Sequence, residues 1–190
     1  KTPSGFSGPN AWYAYNESQQ NAAFDSRLGI PVLIGIDAVH GHSGLTGTTI
    51  FPHNIGMGCT RDPGLVRRAG EVTAYEMTAT GFNWTFGPML SVAWDDRWGR
   101  TYECYSEDPV LVEDLGEQAV RGLQGVAGLG SAHPVIACAK HFAGDGQATF
   151  NTSHKGGTLD RGDSQIDLAT MLTYGINPYR GALEAGLGSV

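Results

Sequence analysis

The 190-residue chain is 41% hydrophobic and 16% charged, which allows a packed core and excludes a disordered or fibrous protein. Nineteen acidic against twelve basic residues give a formal charge of -7, disfavouring nucleic acid or an anionic membrane as partner and suiting a neutral or cationic ligand. No apolar run approaches the roughly 20 residues that cross a bilayer, and the 28 glycines follow no fixed period, which excludes collagen and solenoid readings.

Residues 1–29 are rich in Gly, Pro, Asn, Ser and Gln and read as an N-terminal extension, with one short helix expected over Gln19–Ser26 and ending near Gly29. The sequence starts without Met and without a charged-then-apolar leader, as expected of a processed protein or a fragment, and this leaves the compartment open. Pro31-Val-Leu-Ile-Gly-Ile-Asp37 is predicted to be a buried strand ending on a carboxylate, followed by His40-Gly41-His42 and a Gly/Thr-rich loop. Asp62-Pro63 starts a helix that Gly81 stops, with Leu65, Ala69, Val72 and Ala79 as its apolar positions and Arg67–Glu71 as an exposed pair.

Phe82–Pro88 has high strand propensity and leads into Asp95-Asp-Arg-Trp-Gly-Arg100-Thr-Tyr-Glu103, a charged and aromatic loop. Asp108-Pro109 starts the next helix, with Val112, Leu115, Ala119 and Leu123 on one side and Gly125 after it. Val135–Ala139 reads as a strand buried on both faces that runs into Lys140-His141 and a glycine-punctuated turn. A polar loop then reaches to about Asp163, a helical region broken near Asn177-Pro178 follows from Ser164 to Ala185, and Gly186–Val190 starts a further strand.

Strand and helix therefore alternate, which implies a parallel sheet with right-handed crossovers. The expectation is an α/β fold of (β/α)8 TIM-barrel type, incomplete because such a barrel needs about 250 residues; a smaller doubly wound sheet is the alternative. The latter lacks a GxGxxG or Walker-type loop after the first strand. Three cysteines (Cys59, Cys104 and Cys138) show neither zinc spacing nor a disulfide framework; one disulfide is allowed but not required, and Cys138 reads as a small buried hydrophobe.

In such a fold ligands bind beyond the C-terminal ends of the strands. Three predicted strand ends carry polar groups: Asp37, then Arg97 and Arg100, then Lys140 and His141. One acid with several fixed donors and flanking aromatics suits a neutral, polyhydroxylated ligand, because Asp accepts hydroxyl hydrogens while Arg and Lys donate to sugar oxygens. An Asp37–Arg100 ion pair that pins the loops is the structural counterpart of that reading. Trp94 and Trp98 divide evenly between core packing and a sugar platform. His40-Gly41-His42, with His141 as a further ligand, would be the zinc site of a metal-dependent barrel hydrolase, although loop histidines bonded to backbone are the commoner case.

The stretches Gly35-Ile-Asp37-Ala-Val-His40-Gly41, Thr49-Ile-Phe51-Pro52, Asp96-Arg-Trp-Gly-Arg100-Thr-Tyr-Glu103, Ser106-Glu-Asp108-Pro109 and Lys140-His141-Phe142 resemble glycoside hydrolase family 3, most of all its β-glucosidase and exo-β-glucanase branch. The resemblance runs from about Gly29 to Val190 and identifies residues 30–190 as a partial N-terminal barrel domain. It implies removal of β-linked glucose from the non-reducing end of glucosides or glucans, with retention through a glycosyl-enzyme.

Asp37, Arg100, Lys140 and His141 would hold the hydroxyls of that glucose, and Glu103 or Glu107 would hold Arg100. No cofactor is implied. The expected partners are a β-glucan oligosaccharide and the remainder of the same protein, and secreted or periplasmic placement is favoured by the branch. The family's nucleophile, an Asp in a Ser-Asp-Trp-type stretch, and its acid/base have no match before Val190. This chain alone is therefore expected to supply the sugar-holding subsite without completing the reaction, and a non-catalytic sugar-binding fragment is its nearest equivalent. The β-N-acetylglucosaminidase branch uses a His after Lys-His-Phe, where Asp145 stands here.

Overall fold

The computed structural model of the chain describes residues 3–4, 7–154 and 158–190; parts of the expected N-terminal extension and of the loop after Asp145 lie outside them. The first helix, α1 (Pro9–Phe24), begins ten residues earlier than the sequence predicts. It has no apolar stripe; Trp12 packs beside Phe82 at 5.6 Å against the second core, and amides add to the docking. Asn16 Nδ2 donates to Thr80 O at 2.9 Å, and Gln20 clasps the Val32 backbone through both its amide atoms at 2.7 and 3.1 Å.

Three short parallel strands follow in chain order across one sheet: β1 (Gly35–Ile36), β2 (Trp84–Thr85) and β3 (Ile136–Ala137). Gly35 faces Trp84 and Ile36 faces Thr85, which are paired in turn with Ile136 and Ala137. The β2–β3 pairing persists beyond the strands through a bridge between Met89 and Lys140, and Ser189 bridges to Cys138 on the far side of β3. Only glycine fits at position 35, because a Cβ there would stand 2.6 Å from the Phe86 ring.

Between β1 and β2 lie α2 (Asn54–Cys59), which the sequence did not indicate, and α3 (Pro63–Ala79). Asp62 caps α3 by accepting from the Gly64 and Leu65 amides, and Asp108 caps α4 (Pro109–Gln124) by accepting from Val110 and Leu111. The expected apolar face of α4 is wholly buried, whereas that of α3 is displaced. Leu65 and Ala79 are exposed, and Val66, Thr73, Ala74 and Met77 are buried. The main core joins α4 to Leu90, Val92, Ala137 and Ala139; a second gathers Ala38, Ala74, Met77, Phe82 and Val135.

The region after Asp163 is helical but irregular. Asp167 caps a single turn, α5 (Leu168–Thr170), which widens into a π-helical turn over Met171–Ile176. A 3₁₀ turn at Asn177–Tyr179 and α6 (Arg180–Glu184) complete it. The regular winding is thus lost six residues before the expected break. At this point Gly175 lies against the backbone of Gly144. All three cysteines are free; Cys104 is buried, Cys138 is half-buried and Cys59 is exposed.

Candidate functional site

The end of β3 delivers Lys140 and His141 into a turn fixed from behind. Ser164 Oγ donates to Gly144 O at 2.8 Å, and Gln147 Nε2 donates to Val92 O at 2.7 Å. Gly144 and Gly146 adopt φ of +88° and +99°, and a Cβ on Gly146 would meet Val92 O, so this tight turn requires glycine. The peptide bonds Lys140–His141 and Phe142–Ala143 are cis.

Of the four residues assigned to sugar holding, two touch directly. Lys140 Nζ donates to Asp37 Oδ1 at 2.7 Å, linking the tips of β3 and β1; Lys140 is largely buried, while Asp37 is 65% exposed with Oδ2 left over. Arg100 and His141 open onto one cavity of about 310 Å³, together with Asp145, Ala148 and Arg161. Arg100 does not pair with Asp37. Its Nε and Nη2 donate to the two oxygens of Glu103 at 2.7 and 2.8 Å, because the intervening 3₁₀ turn, Thr101–Glu103, brings positions three apart together.

Burial pushes the Glu103 carboxyl pKa up, but hydrogen bonds and charge from Arg100, with Lys140 and His141 nearby, outweigh it and hold the value below the ordinary range. The guanidinium of Arg100 is raised in turn, first by its hydrogen bond to Glu103. His141 Nδ1 lies 2.8 Å from Asp145 Oδ2, and its backbone N–H donates to Ser91 Oγ at 3.4 Å.

Other expectations are corrected. Arg97 turns away from this cluster: its Nε donates to Asp95 Oδ1 at 2.9 Å and its guanidinium lies 4.4 Å over the Phe150 ring. Those bonds bring the Asp95 carboxyl down to about 2. Glu107 does not reach Arg100 and lines a separate outer cavity with Trp94 and Tyr174. Trp98 is core, 2% exposed among Met89, Ala93, Cys104 and Leu159, whereas Trp94 is 50% exposed.

The two histidines of the proposed zinc site have other partners. His40 Nδ1 lies 2.9 Å from Phe51 O, and buried His42 pairs through Nε2 with Thr80 Oγ1 at 2.9 Å. Burial lowers the His42 pKa, opposed by Glu76. No group of three or more His, Cys, Asp or Glu able to hold a metal exists among the described residues. Ser91 and Arg161 escaped the sequence reading. Ser91 follows an apolar run like any strand-end serine, and Arg161 sits in a polar loop without a motif.

Comparison with known proteins finds relatives of one family. The family described as "Glycosyl hydrolase family 3 N terminal domain" matches residues 6–190. A periplasmic β-glucosidase of Salmonella typhimurium is 34% identical over 165 residues, covering 87% of this chain and 20% of that protein. The crystal structure of an exo-1,3/1,4-β-glucanase from a Pseudoalteromonas species superposes with a TM-score of 0.87 at 41% identity, over 96% of this chain and 23% of that one. A mutant β-glucosidase from Listeria innocua, in complex with laminaribiose, gives 0.78 at 33% identity over 95% of this chain and 23% of that one. The chain thus spans about a fifth to a quarter of the length of these relatives.

Proposed function

The chain belongs to glycosyl hydrolase family 3, whose N-terminal domain it matches along residues 6–190, and from that premise we propose that the protein carrying it removes β-linked glucose from the non-reducing end of glucosides or glucans. The reading is that residues 30–190 form part of a (β/α)8 barrel, with 1–29 as an N-terminal extension. The sequential parallel order β1-β2-β3, continued by the bridge from Ser189 to Cys138 beside β3, supports the barrel over a doubly wound sheet, in which the fourth strand would lie beside β1.

Within it, Asp37, Arg100, Lys140 and His141 hold the hydroxyls of the glucose being released. One observation carries this. A carboxylate, an ammonium, a guanidinium and an imidazole come from the ends of β1 and β3 and from the long loop after β2, with Lys140 bonded to Asp37, and with Arg100 and His141 facing a common cavity. Asp37 Oδ2 accepts from a hydroxyl, and Arg100 and Lys140 donate to ring substituents. Together they fix the pyranose while its anomeric carbon gains positive character.

The nucleophile and the proton donor are assigned to no residue of this chain. A secreted or periplasmic setting draws support from the periplasmic relative, and no described helix is long and apolar enough to cross a membrane. In the protein carrying this chain, Asp37→Ala and Arg100→Ala are each expected to lower kcat/KM on an aryl β-glucoside by about 100-fold or more. A near-normal kcat/KM in either variant overturns that residue's role.

A further inference from the structure

The cavity that Arg100 and His141 share has neighbours. Ala148 lines it and also a second cavity of about 220 Å³ walled by Trp94, Gln147 and Phe150. Trp94 stands between this second cavity and a third, of about 440 Å³, whose wall includes Glu107, Asp108 and Tyr174. Three hollows therefore adjoin in a row that leads outward from the proposed glucose site to the N-terminus of α4.

The row is lined by two exposed aromatic rings and by Tyr174, which is half-buried against the main core. Trp94 is 50% and Phe150 45% exposed. The Tyr174 ring lies 5.1 Å from the Trp94 ring at an angle of 32°, and Arg97 backs the Phe150 ring at 4.4 Å. Large rings held in place and open to solvent offer flat apolar faces, which match the C–H face of a pyranose.

Acceptors sit at their edges. Glu107 is exposed, and Asp108 uses Oδ1 to cap α4, leaving Oδ2 for a hydroxyl. An anionic ligand would meet these two carboxylates, and a wholly apolar partner would bury them unpaired. A neutral polyhydroxylated chain meets neither obstacle.

Resting on the functional reading above, we propose that Phe150, Trp94 and Tyr174 form a track on which the following units of a β-glucan chain lie while its terminal glucose occupies the Arg100–His141 cavity. The track makes the protein prefer long glucans to short glucosides without contributing to the chemistry at the terminal unit.

The test is native electrophoresis of the full-length protein through gels containing soluble mixed-linkage β-glucan, with kinetics on an aryl β-glucoside alongside. Trp94→Ala is expected to weaken glucan affinity about fivefold or more, and Trp94→Phe to retain most of it. Both variants are expected to keep kcat/KM on the aryl glucoside within about twofold of wild type. If wild type cleaves the aryl glucoside but Trp94→Ala is retarded by glucan as strongly as wild type, the track is wrong and the functional reading stands. If Trp94→Ala loses aryl-glucoside turnover in step with glucan affinity, the track is likewise overturned. A wild-type protein that cleaves no β-glucoside overturns the functional reading, and the track with it.

Discussion

Arg100 is held by two parallel hydrogen bonds to Glu103, at 2.7 and 2.8 Å, which leave its remaining N–H donors for a ligand. Glu103→Gln keeps the shape but removes the charge that aligns the fork. It is therefore expected to raise KM for a β-glucoside and lower kcat/KM by about 10- to 100-fold, with the fold intact by circular dichroism. The carboxyl also sets an acid limit. Its pKa lies below the ordinary 4.5, so the pair contributes fully above that value and is lost as pH falls through the depressed one. Glucoside affinity in wild type is thus expected to hold through the ordinary carboxyl range and to fall only at the more acid pH where Glu103 takes up its proton; Glu103→Gln abolishes this limb. The Arg100–Glu103 spacing was legible as i,i+3. The Lys140–Asp37 contact was not, because 103 residues separate the two and no local rule couples them.

Elements with one buried face were legible from their residues. Helix α4 starts at Asp108-Pro109, stops before Gly125 and buries the stripe its spacing shows. Helix α3 has equally clear ends but is contacted on more than one side, so its small residues are buried and Leu65 is left in solvent. Helix α1 presents no stripe because a single ring, Trp12, and amide clasps hold it, and its Gly- and Pro-rich beginning conceals it. The long apolar runs give only two-residue strands: ahead of β1, Val32 is bonded to Gln20 instead of to a neighbouring strand. Where α3 crosses α4, a Cβ on Gly122 would stand 2.3 Å from Arg67 O and 3.0 Å from the Gly70 Cα. Gly122→Ala is therefore expected to cost about 1–3 kcal/mol, read as a lowered Tm; an unchanged Tm would mean that the crossing has room to spare.

At the scale of the whole molecule, the parallel order of the strands was legible because alternation of strand and helix leaves few topologies. The outer aromatic row was only half legible: Trp94 and Trp98 look alike in sequence, and only their distance from the core separates them. The chain carries a formal charge of -7, yet the cavity does not inherit that imbalance. Lys140 is answered by Asp37 at 2.7 Å, Arg100 by Glu103, and Arg161 by Asp160 at 3.7 Å. Opposite signs a few ångströms apart cancel within a Debye length of about 10 Å. Raising salt from about 10 to 500 mM is therefore expected to change kcat/KM on an uncharged glucoside by less than about twofold. Such a mouth casts no pull into the surrounding water, so a glucan end arrives by chance collision, and its capture depends on fit after contact.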